Sequence, residues 1–168
     1  MTDPAKARDD GPALLYATAY PRLVSVLAVA AGSRAEAEEV VQEAFVRLLS
    51  RWPVVSRYDN PEAWVRMVAF RLLSNRHRRA RIARRVVGRV GPAQHSPPAG
   101  ADRVDVRRAL AALPLTQRQV VVLHHLLDLP VAEIAAELGL PVGTVKSRLS
   151  RARDTLSHLL GEEVTINA

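Results

Sequence analysis

None of the 168 residues is cysteine. Disulfides, thiolate metal sites and cysteine nucleophiles are therefore excluded, and the usage fits a reducing, cytoplasmic setting. Aromatic residues make up only 4%, too few for a sheet built on aromatic cross-strand pairs. Leu, Val and Ala dominate the 48% of apolar residues instead, which favours helices packed through aliphatic side chains. Long hydrophobic runs are missing as well. The longest, Leu23 to Ala31, falls far short of the ~20 residues that a membrane-spanning helix requires. Met1 to Asp10 lacks the basic-then-apolar order of a signal peptide. The expectation is an internal protein that is not integral to a membrane. Acids, finally, are absent from the whole stretch Arg66 to Arg89, in a chain whose net charge is +7. That imbalance points to a polyanionic partner, nucleic acid before an anionic membrane. The plain alternative is a basic protein with a solvated face.

No arrangement of residues supports catalysis. Ser, Asp and His occur without a nucleophile elbow, a phosphate loop or a metalloprotease motif, so neither a small-molecule substrate nor a cofactor is implied. His124-His125 invites a metal, but neighbours on a regular helix point apart and no carboxylate at i+4 spacing completes a site. No metal is expected, and the chain is not expected to be an enzyme.

Along the chain, apolar residues recur at helical spacing throughout, and the fold class is all-α. A first helix is expected from about Pro12 to Ala31, ended by Gly32. A second opens at Ser33-Arg34-Ala35-Glu36, a capping box in which Ser33 and Glu36 would serve each other's amides. Its apolar stripe is Val40, Val41, Ala44, Phe45, Leu48 and Leu49, and Trp52-Pro53 is expected to stop it. Arg51 to Asn60 reads as an irregular loop. Asn60-Pro61 starts a third helix that turns Trp64, Val65, Val68, Leu72 and Leu73 inward and then becomes intensely basic. Gly88 to Ala101 is rich in Gly, Pro and small residues and reads as a flexible linker. It separates a domain at 1–87 from one at 102–168. In the second, Val106, Ala109, Leu110 and Leu113 form a short helix, and Thr116 to Gln119 is a second capping box opening a helix to about Leu127.

The run from Leu129 to Leu156 carries the most information. Ile134 and Leu138 share one face of a short helix, and the small Ala135 lets a neighbouring helix come close. Gly139 can adopt the left-handed turn conformation, and Leu140 fills the angle between the helices. This is the pattern of a helix-turn-helix. On the longer helix that follows, Val145, Leu149, Ala152 and Leu156 lie on one side. Gly143, Ser147, Ser150, Arg151 and Asp154 lie opposite, flanked by Thr144, Lys146 and Arg148. Small hydroxyl residues and cations on one face suit the ~12 Å major groove, and the amides of Gly143 and Thr144 are placed for a phosphate. An ordinary amphipathic helix with a basic outer face is the simpler alternative.

Leu113-Pro114, Arg118, Glu133-Ile134-Ala135, Leu138-Gly139, Gly143 to Leu149 and Arg151-Ala152-Arg153 together resemble the C-terminal domain of the extracytoplasmic-function (ECF) sigma factors, the small members of the bacterial sigma-70 family. The resemblance implies that Lys146, Ser147, Ser150 and Arg151 face bases of a −35 promoter element, and that Thr144, Arg148 and Arg153 hold its phosphates. Ala37 to Phe45 is similar to the family's polymerase-docking helix, with Glu39 where Asp is usual. It implies contacts from Glu39, Gln42, Glu43 and Arg47 to the β′ clamp helices of core RNA polymerase; the other domain would meet the β flap. Pro61 to Val65, with Trp64, resembles the segment preceding the helix that binds and melts the −10 element. Trp52, Arg57 and Tyr58 in the loop, and Trp64, Arg71, Asn75, Arg78 and Arg79 on the helix, are the implied −10 contacts. Arg71 replaces the family's usual Asn, which implies a non-standard −10 sequence.

The resemblance covers about Tyr16 to Leu160. It implies a cytoplasmic sigma factor that directs polymerase to specific promoters, with promoter DNA, core polymerase and an anti-sigma factor as partners. Composition and motifs also allow an autonomous helix-turn-helix regulator that dimerises and needs no polymerase.

Overall fold

The computed structural model describes residues 11–88 and 101–166, and every regular element among them is helical. In chain order they are α1 (Gly11–Ala31), α2 (Arg34–Val55), α3 (Pro61–Val87), α4 (Ala101–Ala112), α5 (Leu115–Val121), a π-helical turn (Val122–Leu126), α6 (Val131–Leu138) and α7 (Val142–Ile166). The expected linker falls almost wholly outside the described residues.

α1, α2 and α3 pack side by side because each buries one stripe. α1 contributes Ala19, Leu23, Leu27 and Ala30, α2 contributes Val40, Val41, Ala44 and Leu48, and α3 contributes Val65, Ala69, Phe70 and Leu73. The i, i+3/i+4 spacing of each set puts it on a single helical face. Each fully buried Leu or Phe stabilises by about 1.5–3 kcal/mol relative to exposure. Among the described residues α1 is long and apolar enough to cross a membrane by length and composition. Here its apolar face is the floor of the core, while Pro21, Arg22 and Ser25 face outward.

Several local expectations need correction. α2 does not stop at Trp52-Pro53 but runs to Val55, with Pro53 in its last turn. A proline there removes one bond to the carbonyl four residues back. That residue is the solvent-facing Leu49, and the turn still closes through Ser56 N–H donating to the Trp52 carbonyl at 2.9 Å. The same Leu49 is 63% exposed and does not join the buried stripe. Only half of the first capping box forms. Ser33 accepts from the Glu36 amide at 3.3 Å, but the Glu36 carboxylate turns to His77 of α3 at 3.0 Å. The second box does not form, because α5 starts at Leu115 without a side-chain cap and Gln119 is buried elsewhere. Val106 is exposed rather than inward. The helix after Thr116 widens at Val122–Leu126 into a π-helical turn. The smaller angle between successive residues there brings the His124 and His125 rings edge to face, 4.8 Å apart, instead of apart. His124 Nδ1 lies 2.9 Å from the Leu129 carbonyl, which occupies that nitrogen.

Buried residues of the second half also pack against the first. Val120, Val122, Leu123, Leu129, Ile134, Ala135 and Val145 join the core of α1–α3 in one continuous cluster. Leu113, Val121 and Ala152 form a smaller cluster that ties α4, α5 and α7 together.

Candidate nucleic-acid interface

The helix-turn-helix forms as its residues dictate. α6 ends in Gly139 at φ 66°, left-handed, and its end is closed by the Leu140 amide donating to the Ala135 carbonyl at 2.9 Å. A Cβ raises the energy of that conformation, which is why glycine stands there. Ile134 and Ala135 are buried beneath the turn, and Leu140 is half-buried.

α7 then presents two unlike faces. Val145 and Ala152 are fully buried, and Leu149 and Leu156 are half-buried against the core. Lys146, Ser147, Ser150, Arg151, Arg153 and Asp154 are exposed, as is Gly143, while Thr144 and Arg148 are half-buried. Burial pushes the Arg148 guanidinium below its usual range. Ser147 Oγ donates to the Thr144 carbonyl at 3.0 Å, which fixes its rotamer and leaves its lone pairs outward. One detail of the expected phosphate cradle fails. The Thr144 amide is not free, since it donates to the Pro141 carbonyl at 3.0 Å.

The basic helix α3 carries exposed Asn75, Arg78 and Arg79, and the solvent-facing Arg81, Arg84 and Arg85 extend the cationic side to its end at Gly88. Arg57 and Tyr58 are exposed in the turn before it, and Trp64 is half-buried against the core. Trp52 is half-buried, and its ring lies so close to Gly11 that a Cβ there would collide with it. Arg71 is not aimed at solvent alone. Its Nε donates to the Glu137 carbonyl at 2.8 Å and its terminal nitrogen to the Ala136 carbonyl at 3.2 Å.

On α2, Glu39, Gln42, Glu43 and Arg47 are gathered on the outer face. Arg76 of α3 bridges Glu39 at 2.9 Å and Glu43 at 3.2 Å, and Arg47 pairs with Glu43 at 2.7 Å. Partial burial would raise the Glu43 pKa, but the hydrogen bonds from Arg47 and Arg76 outweigh it and hold the carboxyl below its ordinary value. For Arg76 burial is likewise outweighed, here by Glu39 and Glu43, and its pKa rises.

Sequence reasoning missed Arg66, Gln119 and Glu137, all buried. One signal was available. Arg66 stands between Val65 and Ala69 on the inward side of α3, where a cation needs a buried partner.

Two family models match this chain: sigma-70 region 2 over residues 15–83 and sigma-70 region 4 over residues 103–156. The three-helix half and the helix-turn-helix half thus coincide with the two conserved parts of a promoter-recognition subunit of RNA polymerase. The ECF RNA polymerase sigma factor SigL of Mycobacterium tuberculosis is 36% identical over 139 residues, covering 78% of each chain. A probable RNA polymerase sigma-C factor of Mycobacterium bovis is 31% identical over 125 residues, 71% of this chain and 68% of that one. Among solved structures, the sigma factor RpoE of Bartonella quintana, crystallised with the anti-sigma factor NepR, matches with a TM-score of 0.72 at 24% identity, covering 90% of this chain and 98% of that one. CnrH, solved with the cytosolic domain of CnrY, matches with a TM-score of 0.59 at 26% identity over 94% of each chain. The chain belongs to the ECF sigma factors of the sigma-70 family.

Proposed function

We propose that this chain acts in the cytoplasm as the promoter-specificity subunit of RNA polymerase, performing no chemistry itself and gripping one promoter through two separate cationic helices. α7 enters the major groove of the −35 element, with Lys146, Ser147, Ser150 and Arg151 on base edges and Thr144, Arg148 and Arg153 on phosphates. α3, the turn before it and the end of α2 engage the −10 element through Trp52, Arg57, Tyr58, Trp64, Arg71, Asn75, Arg78 and Arg79. Cations on α3 supply salt-dependent phosphate attraction, and the exposed Tyr58 and Arg57 offer faces on which an unpaired base can stack. The face of Glu39, Gln42, Glu43 and Arg47 docks on the β′ clamp helices, and the half beginning near Asp102 meets the β flap. Each DNA module alone would bind weakly. Tethering both to polymerase raises their joint affinity through effective concentration. An anti-sigma protein is a further proposed partner.

The observation that carries this proposal is α7, with an apolar side sunk in the core and an opposite side of exposed Lys146, Ser147, Ser150 and Arg151. The experiment is co-purification with core polymerase followed by run-off transcription on genomic fragments. Discrete transcripts that appear only when the chain is added support the assignment. Failure to bind core polymerase, with unaided binding of a palindrome, overturns it.

A further inference from the structure

The acids of α2 are Glu36, Glu38, Glu39 and Glu43, and each faces a basic side chain. Glu38 pairs with Arg34 of its own helix at 2.9 Å, and Glu36 meets His77 of α3 at 3.0 Å. Glu39 and Glu43 share one guanidinium. Arg76 of α3 donates from one terminal nitrogen to Glu39 Oε2 at 2.9 Å and from the other to Glu43 Oε2 at 3.2 Å. Arg47 donates to the second oxygen of Glu43, Oε1, at 2.7 Å. The two carboxylates and two guanidinium groups cancel. This face is therefore a neutral, cross-linked network and not an acidic patch.

The planar fork of arginine makes the double contact possible. Positions 39 and 43 stand one turn apart on the same side of α2, and the two terminal nitrogens of Arg76 span them. A lysine ammonium offers a point charge without that fixed geometry. The two acids are left with unequal freedom. Glu43 has a cation on each oxygen and a side chain only 36% exposed. Glu39 uses Oε2 alone, is 67% exposed, and has no hydrogen bond to Oε1 among the described residues. A long carboxylate already held in one rotamer loses less freedom when a partner binds.

Arg76 lies within the basic run of α3, between Asn75 and Arg78, yet its surroundings differ from theirs. Asn75, Arg78 and Arg79 are exposed, and among the described residues Arg78 and Arg79 pair with no carboxylate. Arg76 and His77 are half-buried on the side of α3 turned to α2. Moving Arg76 to a phosphate would strip Glu39 of its one cation and leave Glu43 with Arg47 alone.

We infer that Arg76 is a positioning residue of the polymerase-docking face and takes no part in the grip on DNA. It holds Glu39 so that Oε1 can accept from a donor on core polymerase, with Glu43 as the strut between Arg76 and Arg47. The inference rests on the docking face proposed above and divides its two acids into one that touches the partner and one that supports it.

The test measures binding of full-length variants to core polymerase, in competition with labelled wild type. The network is a third or more exposed, and such pairs add little to stability, so the variants fold. Arg76→Gln should weaken binding by about fivefold, the scale of one side chain left to be ordered on docking. Arg76→Lys, which keeps the charge without the fork, should recover part of the loss. In a chain that already carries Glu39→Gln, adding Arg76→Gln should cost less than about twofold more, because Arg76 acts through Glu39. Promoter binding is then followed at saturating polymerase, where the slope of log affinity against log salt should match wild type. A slope shallower by about 1 with unchanged core affinity would make Arg76 a phosphate ligand and overturn the inference. An equal loss from Arg76→Gln in both backgrounds overturns it too, as the mark of a general structural effect. If Glu39→Gln, Arg47→Ala and Arg76→Gln all bind core polymerase as wild type does, the docking face itself is rejected, and the inference with it.

Discussion

Glu43 is held between Arg47 of its own helix and Arg76 of α3, and its carboxyl titrates below the ordinary value of 4.5. A depressed folded-state pKa means that the ionised form is favoured by folding. Its contribution is complete above the unfolded value and is lost as the pH falls through the folded one. Stability should therefore fall in the acid range below about pH 4.5, and Glu43→Gln should flatten that limb when urea midpoints are measured against pH. High salt should shrink the difference, since the pair is partly exposed. On α7, Ser147→Ala and Arg151→Ala should change which −35 bases are preferred, by about 1–3 kcal/mol at the affected position. Competition binding of the holoenzyme against −35 variants measures this. If both variants rank every −35 sequence as wild type does, α7 is not the reading helix. The outward position of Ser147 and Arg151 was legible from their spacing against Val145 and Ala152. The amide of Thr144 was not, because whether it stays free depends on how Pro141 starts the helix.

At the scale of elements, the Gly139 turn and the packing of α6 are the parts most exposed to change. Gly139→Ala forces a Cβ into φ 66° and should destabilise by about 1–2 kcal/mol. Ile134→Ala, at a fully buried site, should cost about 2–5 kcal/mol through the cavity it leaves. Both are read from thermal or urea unfolding. On the basic helix, Arg78→Ala with Arg79→Ala should weaken DNA binding across sequences alike. The plot of log affinity against log salt should become shallower by up to about 2, since each phosphate left without its arginine keeps its condensed counterion. Helix-forming stripes, the Asn60 cap and the helix-turn-helix were all legible because they are encoded by neighbours within a few residues. The continuation of α2 through Pro53 and the π-helical turn at Val122–Leu126 were not. Each depends on a balance between one missing or shifted backbone bond and tertiary packing.

For the whole molecule, the cross-contacts Arg66–Glu137, Arg71–Ala136 and Gln119–Ser74 join residues 45–71 positions apart. No local periodicity specifies such pairs, so the two helical halves were legible in the sequence and the contacts between them were not. The most direct test is hydroxyl-radical footprinting of a promoter by the reconstituted holoenzyme. Two protected patches are predicted, centred about two and a half helical turns apart, with Arg151→Ala weakening only the upstream one. Protection by the free chain alone, as a single patch symmetric about a palindrome, would contradict the account.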